Sequence, residues 1–589
     1  MPGPPPRPGC RPAPSRCPFL VWRHTHRVSP PETRPFRQLY EGTPKIPLHR
    51  RSPEAYPAPR VGHTVEPHPE TPPSEPSMTE LATALAQVRA ADYDVPNFIG
   101  GREVRTGHTL PIVTPHEHAV RLGQVHRASA EHVGAAIASA TEASRWWSRL
   151  GWEERVAPFL RAADMLESGP WRDRLTAAAM LELSKTRDQA EGDAAAEAAD
   201  FIRANVENLR TMRDVQPFSP EGIRNHVEYR PLEGFVLAVS PFNFVSTNNL
   251  AFAPALLGNT VVWKPAESAA LTAHLSLRLL REAGLPDGVV NVVHGSGAEL
   301  GPVALTHRDL AAVHFTGSTA TFRQIFRTVG ENVDGYRNYP RVVGETGGKD
   351  FIIAHPSADL EALAVACVRG AFEYQGQKCA APSRLYIPRS LWPALKERLI
   401  ELTRRVVVGD PTLPGTHIGA VINARQHAKH TEALARARAE NLVVVGGHTD
   451  NSVGWFVAPT VLEVADPHSP FMTEELFAPI TAAYVYEDAD WEKTLRLVDE
   501  STEYGLTGAV FAEDEEAIAE AADALKYTAG NFYINDKPSG AAVGQQPFGG
   551  ARASGTNDKA GAVWNLIRFT SPLSVKRPER PARDPWPAA

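Results

Sequence analysis

Cys379 and Glu345 are the residues whose types and spacing point most directly to chemistry. Cys379 stands in Phe372-Glu373-Tyr374-Gln375-Gly376-Gln377-Lys378-Cys379-Ala380, and Glu345 lies 34 residues ahead of it in Gly344-Glu345-Thr346-Gly347-Gly348-Lys349. A thiol and a carboxylate so placed suggest a nucleophile and a base for acyl chemistry. A cysteine alone does not carry that reading, because free cysteines are among the most buried residue types and behave as small hydrophobes. Cys367, beside the apolar run Ala362-Leu363-Ala364-Val365-Ala366, is of that kind. Cys379 follows Gly376, Gln377 and Lys378, so its surroundings read as a polar, cationic loop or helix end, which is expected to lower a thiol from its usual ~8.5.

Three more stretches have the residue types of a ligand site. Asn243, in Ser240-Pro241-Phe242-Asn243-Phe244, follows a predicted strand, where its amide can stabilise a developing oxyanion; a turn-forming asparagine would look the same. Val262-Trp263-Lys264-Pro265-Ala266-Glu267-Ser268 ends another strand. Lys264 and Glu267 there suit the ribose hydroxyls of a dinucleotide, with Glu267 repelling a 2′-phosphate, although Pro265 and Glu267 equally suit a helix start with no ligand. Phe315-Thr316-Gly317-Ser318-Thr319-Ala320-Thr321 opens a helix whose backbone N–H groups can receive a pyrophosphate. It lacks the G-x-G-x-x-G fingerprint.

The elements that position these residues follow from periodicity. From about 133 to 212 the chain is Ala-rich with helical spacing. Strand and helix then alternate: Gly234 to Val239, a helix to Leu257, Thr260 to Trp263, a helix from Ser268 to Ala283, Val289 to Val293, a short helix, Ala312 to Phe315, and a helix after Thr319. A second alternating block follows Cys379, with Arg384 to Ile387, helices at about 391–407 and 424–439, and Leu442 to Val445. Such alternation predicts α/β architecture, with parallel sheets that bind ligands at the carboxyl ends of their strands. Glu228-Tyr229-Arg230, after a polar stretch from Gln216, reads as an extended arm.

The ordered set Asn243, Lys264, Ser318, Glu345 and Cys379, then Glu474-Glu475-Leu476-Phe477-Ala478-Pro479 and Pro547-Phe548-Gly549-Gly550, resembles the aldehyde dehydrogenase superfamily over roughly residues 95–575. The flanks Tyr504 to Phe511, Gly530 to Lys537 and Gly544 to Asp558 resemble its L-glutamate γ-semialdehyde dehydrogenases. The resemblance implies a Rossmann-like NAD-binding domain, an α/β catalytic domain and a β-arm oligomerisation element. Its boundaries would be 78–211 and 234–345 for the NAD-binding part, 212–233 for the arm, 346–540 for the catalytic domain, 541–575 for an anchor loop and C-terminal oligomerisation segment, and 576–589 for a tail.

The resemblance also implies roles. Cys379 would attack the aldehyde of glutamate semialdehyde, formed when pyrroline-5-carboxylate opens with water. Asn243 and the Cys379 N–H would hold the oxyanion, and Glu345 would activate water for hydrolysis. Ser240, Pro241, Lys264, Glu267, Gly317, Ser318, Thr319, Ala320, Thr321, Glu475 and Phe477 would surround NAD. Phe244 and Phe548 would pack on the substrate's aliphatic stem, Glu197 would face its ammonium, and Lys378 would line its site. Gly540 and Ala541, in Ser539-Gly540-Ala541-Ala542, would receive its carboxylate as a small anion nest. The family usually has Ser directly after the nucleophile; Ala380 stands there, which removes one hydrogen bond to the substrate carboxylate. A homodimer or higher homo-oligomer, and functional coupling to a separate proline dehydrogenase, complete the expectation.

Composition bounds the rest. The chain has 589 residues, 42% hydrophobic and 22% charged, which predicts a multi-domain globular protein. Four cysteines argue against a disulfide framework and for a reducing compartment; the cytoplasm is the default and the mitochondrial matrix the alternative. Residues 1–77 hold 21 of the 52 prolines and carry net +5, leaving −12 on the remainder. They are expected to be a disordered leader ahead of a biological start at Met78. The acidic body excludes a nucleic-acid binder, and no ~18-residue apolar run predicts a membrane span. His116 and His118 lack partners at metal-ligand spacing and read as loop residues, so no metal is expected.

Overall fold

In a computed structural model that describes residues 78–244 and 249–586, two seven-stranded sheets organise the chain. Across the first the order is Arg341–Glu345, Leu310–Thr316, Phe235–Val239, Thr260–Lys264, Val290–Val292, Asn97–Ile99 and Arg102–Val104. The first five strands are parallel, and each of the last two pairs antiparallel with the strand before it. Phe235 to Ala238 are buried without alternation, as strands covered on both faces must be. One face packs on Val133, Ile137 and Ala140 of the helix Ala130–Trp147, and the other on Phe159, Leu271 and Leu275. Those helix residues recur every three or four positions, the spacing that gathers one apolar stripe.

The strand order fixes where ligands can enter. Chain order runs outward from Phe235–Val239 through Thr260–Lys264 to Val290–Val292, then returns to Leu310–Thr316 on the other side of the first strand. This reversal opens a crevice at the carboxyl ends of Phe235–Val239 and Leu310–Thr316. The next residues along the chain are Ser240 to Phe244 and Gly317 to Thr321.

Across the second sheet the order is Val443–Val445, Thr460–Val464, Ile480–Tyr486, Arg384–Pro388, Phe351–Ala354, Thr507–Phe511 and Asn531–Ile534. Only the first strand is antiparallel to its neighbour. Phe351 and Ile353 join one apolar cluster while Ile352 and Ala354 join another, so alternate side chains feed cores on opposite faces.

Of the four smaller sheets among the described residues, two bear on the expectations above. Ile223–Pro231 pairs antiparallel with Thr570–Pro578 over its whole length, and its residues alternate half-buried and exposed. The expected arm thus takes its second strand from the C-terminal region and runs three residues past the expected boundary at 575. Tyr93–Val95, Glu117–His126 and Thr109–Thr114 form a three-stranded sheet. His116 occupies its hairpin turn, but His118 lies in the strand Glu117–His126, where it stacks on Trp455. The loop expectation for His118 is corrected, because the turn closes within two residues. Among the described residues no helix is long and apolar enough to cross a membrane. The expectations for residues 1–77 fall outside the described residues.

Candidate active site

The helix Leu360–Phe372 leads to the nucleophile through a turn its own sequence opposes. Tyr374, Gln375 and Gly376 all take left-handed backbone, with φ of 51°, 57° and 63°. Each non-glycine residue so held costs ~1–3 kcal/mol and persists only where its surroundings over-determine it. Here they do: the Gln375 amide donates to the carbonyls of Ser184 (3.0 Å) and Ala420 (2.8 Å). Gln377 Oε1 accepts from Ile422 N (2.9 Å), and Lys378 Nζ pairs with Glu373 across the turn (2.8 Å). Gly376 is required, since a Cβ there would sit 2.2 Å from the Ala478 carbonyl oxygen.

Cys379 emerges from this turn half-buried on the wall of a cavity of about 480 Å3. Burial pushes its thiol up, and the carboxyl groups of Asp350, Glu345 and Glu475 push the same way against a small opposing effect of its own N–H. The lowered thiol expected from Lys378 is therefore corrected: Lys378 is paired with Glu373, and three carboxyl groups surround the sulfur. Asp350 Oδ1 accepts from Thr507 N (2.6 Å), and burial holds Asp350 well above the carboxylate range.

Glu345 ends the strand Arg341–Glu345 and lines the same cavity. Its Oε2 accepts from Gly550 N (3.2 Å). Burial raises its carboxyl well above the usual range despite that bond and the nearby Lys559 ammonium. Asn243 is buried, and its Nδ2 donates to the Gln377 carbonyl (3.0 Å), which brings its amide to the nucleophile turn.

Residues with expected substrate contacts converge here. Glu197, Phe244, Lys378, Gly540, Ala541 and Phe548 all line the cavity, with Pro241 and Ala380. Glu197 opens the helix Glu197–Asp214 directly after a π-helical turn, Gly192–Ala196. Such turns insert a residue and redirect side chains, and they concentrate at functional sites. Burial and the neighbouring Asp193 raise the Glu197 carboxyl to about 8, against Lys185 and Lys378. In the loop after Ser539, Ala542 N donates to Gln546 (2.9 Å), whereas among the described residues no acceptor takes the N–H of Gly540 or Ala541. A larger open groove, about 650 Å3 between Arg389 and Lys396, holds none of these residues.

Apart from Pro241, the dinucleotide candidates are not among the residues that line the cavity. Ser318 caps the helix Thr319–Glu331 through Thr321 N (3.2 Å), and Gly317 N donates to Glu345 O (3.2 Å). Ala320 is exposed in the first turn, and Thr319 Oγ1 donates to Ala553 O (3.3 Å). Ser240 is buried, and its hydroxyl accepts from Trp263 Nε1 (2.8 Å). Glu267 pairs with Arg127 (3.2 Å). Glu475 is no solvated helix-end charge: its Oε1 accepts from Gly348 N (2.9 Å), and burial raises it. Phe477, left-handed at φ 59°, meets Phe242 edge to face at 6.0 Å. The set fits a dinucleotide. Lys264 is an ammonium pulled down by burial whose one hydrogen bond among the described residues goes to the adjacent Pro265 carbonyl (3.2 Å), leaving donors for a diol.

Sequence reasoning missed Lys185, Asp193 and Tyr374. Their one signal was Gly192, a glycine interrupting an Ala-rich helical run just where the π turn forms.

The chain also matches known proteins. Residues 103–575 match the aldehyde dehydrogenase family. Delta-1-pyrroline-5-carboxylate dehydrogenase, mitochondrial, of Bos taurus is 44% identical over 513 residues, 86% of this chain and 91% of that protein. The crystal structure of the Delta-pyrroline-5-carboxylate dehydrogenase from Mycobacterium tuberculosis is 46% identical with a TM-score of 0.83, covering 87% of this chain and 95% of that one. The same enzyme bound with NAD gives 44% identity and a TM-score of 0.83 over 93% of this chain and 99% of that one. A thiol and a buried carboxylate facing one cavity, beside a crevice shaped for a dinucleotide, thus coincide with a match along most of the sequence: the chain belongs to the aldehyde dehydrogenase family.

Proposed function

We propose that the chain catalyses NAD-dependent oxidation of L-glutamate 5-semialdehyde, the opened form of 1-pyrroline-5-carboxylate, to L-glutamate, the second step of proline degradation. The observation that carries this reading is the polarity of the cavity around Cys379. Lys378 is matched by Glu373, which leaves the Glu197 carboxyl with no hydrogen-bonded partner among the described residues. The unpaired N–H groups of Gly540 and Ala541 supply the opposite sign. A cavity lined by a carboxyl group that can face an ammonium and by N–H groups that can face a carboxylate suits an amino acid, which carries both on one carbon, whose third functional group is an aldehyde.

In this reading the Cys379 sulfur adds to the aldehyde carbon, and its proton leaves to solvent. Asn243 Nδ2 and the Cys379 N–H donate to the resulting oxyanion, a contribution of ~2.7–4 kcal/mol per donor. Lys264 and Glu267 would hold the ribose of NAD, the Gly317 to Thr321 turn its pyrophosphate, and Glu475 and Phe477 its nicotinamide end. Bound there, NAD supplies a hydride acceptor. Glu345 then takes a proton from water, which attacks the thioester on Cys379 and releases glutamate. The raised Glu345 carboxyl makes it a stronger base than an exposed one once ionised.

A second reading, oxidation of another short aldehyde, is favoured by Ala380, which lines the cavity without a hydroxyl for a carboxylate. NADH production at 340 nm, comparing 1-pyrroline-5-carboxylate with propanal and using Cys379→Ala as the blank, separates the two. A higher kcat/KM for propanal would discard the substrate and keep the mechanism. Supporting a dimer, the strands Ile223–Pro231 and Thr570–Pro578 make an arm with exposed Leu573, and exposed Val215 and Phe218 stand just before Ile223 in sequence. Sedimentation would test it. Cysteine usage supports a reducing compartment, the cytoplasm, and a separate proline dehydrogenase would supply the substrate.

A further inference from the structure

Behind the cavity wall lies a buried cation that the reaction above does not use. Lys185 is 1% exposed and forms an ion pair with Asp193. Its Nζ sits 4.8 Å from the ring centre of Phe244 and 4.5 Å from that of Tyr374, between two aromatic faces. Its approach is set by Ser184, which ends the helix Pro170–Leu183 in left-handed backbone at φ 55°. Ser184 is fixed there because its hydroxyl accepts from Ala420 N (2.9 Å) and its carbonyl from Gln375 (3.0 Å). Asp193 belongs to the π turn, and Glu197 follows four residues later on the same side of the helix, both lining the cavity. Lys185 therefore holds the turn that carries Glu197 and backs the ring of Phe244.

We propose that Lys185 is a positioning residue that holds Glu197 aimed into the cavity and favours its ionised form, and so makes the site selective for aldehydes that carry an ammonium group. This rests on the substrate assigned above. The charges facing Glu197 come from every element around it: Lys185 from the loop after Pro170–Leu183, Asp193 from the π turn, Asp200 from its own helix and Lys378 from the nucleophile turn. Lys378 is engaged by Glu373, and Asp200 is exposed at the rim. Lys185 is the cation that offsets Asp193, four residues from Glu197. Without it two carboxylates would face each other in a desolvated wall, and Glu197 would hold its proton to higher pH. Burial pulls the Lys185 ammonium down, while Asp193 opposes that; the two ring faces favour the charged form as well.

The test uses the enzyme saturated with NAD and two substrates, glutamate semialdehyde and 5-oxopentanoate, the same aldehyde acid without the ammonium. Its readout is the ratio of their kcat/KM values from pH 6 to 9.5, each variant divided by wild type so that ring opening of the substrate cancels. Since kcat/KM reports the free enzyme, the wild-type ratio should decline below pH near 8, where Glu197 takes its proton. Lys185→Met should move that decline up by about one unit, which lowers the ratio about tenfold at pH 7. Asp193→Asn should move it down, and carries the test if Lys185→Met does not accumulate as folded protein. Equal losses for both substrates, leaving the ratio unchanged, would mean a merely structural lysine and overturn the proposal, as would a shift of the same sign in both variants. A wild-type enzyme with no preference for the ammonium-bearing substrate at any pH would instead sink the substrate assignment, and this inference with it.

Discussion

Replacing Glu345 by Gln should slow the enzyme and stabilise it, because one property of the site produces both effects. The glutamine oxygen can still accept from Gly550 N, which lies 3.2 Å from Glu345 Oε2, so the local fold is kept and only the base is lost. General-base assistance is worth ~10²–10⁴ in rate, and steady-state turnover should fall by that factor. If Glu345 acts only on the thioester, hydride transfer precedes the damaged step. Rapid mixing should then show a burst of about one NADH per active site before the slow phase. The stability gain follows from linkage. Burial raises the native carboxyl, so between its unfolded value near 4.5 and its native value the folded state binds more protons than the unfolded one. Wild-type stability therefore falls as pH rises through that window, by about 1.4 kcal/mol for each unit of the shift. The variant escapes this loss and should unfold at higher denaturant than wild type at pH 9, with the difference vanishing below pH 4.5. NADH appearing at a single slow rate without a burst would refute the assigned order, since the base would then act before the hydride leaves; a variant less stable at pH 9 would refute the electrostatic account.

Asn243→Ala should lower kcat 10²–10³-fold by removing an oxyanion donor. It also leaves the Gln377 carbonyl without its buried donor, and chemical denaturation should show a loss of ~1–3 kcal/mol. Gly347→Ala places a Cβ 2.3 Å from Glu475 Oε2, so the carboxylate must move; NAD affinity measured by fluorescence titration should drop while the far-ultraviolet spectrum is unchanged. Gly376→Ala demands both left-handed alanine and a shift of the Ala478 carbonyl, and its soluble yield should collapse relative to wild type.

Periodicity made the frame legible in the sequence and left its electrostatics hidden. The helix expected at about 424–439 occupies Ala424–Ala439, and the strands after Gly234, Thr260 and Ala312 fall where apolar runs put them, because these elements are decided by local pattern and burial on two faces. The cavity members Glu197, Phe244, Lys378, Gly540, Ala541 and Phe548 came from family resemblance; no local pattern distinguishes them. The state of the thiol could not be read at all. Lys378, its sequence neighbour, suggested a lowered value, but burial decides it, and the carboxyl groups that add to the rise, Asp350, Glu345 and Glu475, lie 29 and 34 residues before and 96 after Cys379 in the chain and act on it only in the folded molecule. His118 was misread because a two-residue turn can sit within a polar stretch that gives no sign of a strand.

The nucleophile turn shows why such features escape local reasoning. Two consecutive non-glycine residues in left-handed backbone would relax in isolation, at a gain of a few kcal/mol. What holds them is distant in sequence: Ser184 and Ala420 grip Gln375, Ile422 grips Gln377, and Asn243 binds the Gln377 carbonyl. Ser184, which ends the helix Pro170–Leu183, and the segment with Ala420 and Ile422 thus clamp the loop that carries the thiol, and the oxyanion donor is one of the clamps. Ser184 also directs Lys185 to Asp193, so the segment that fixes the nucleophile fixes the charge at the ammonium end of the cavity. Chemistry and substrate selection are built on one short piece of backbone, and a change that loosens it should degrade both together, whereas a change confined to Lys185 should degrade selection alone.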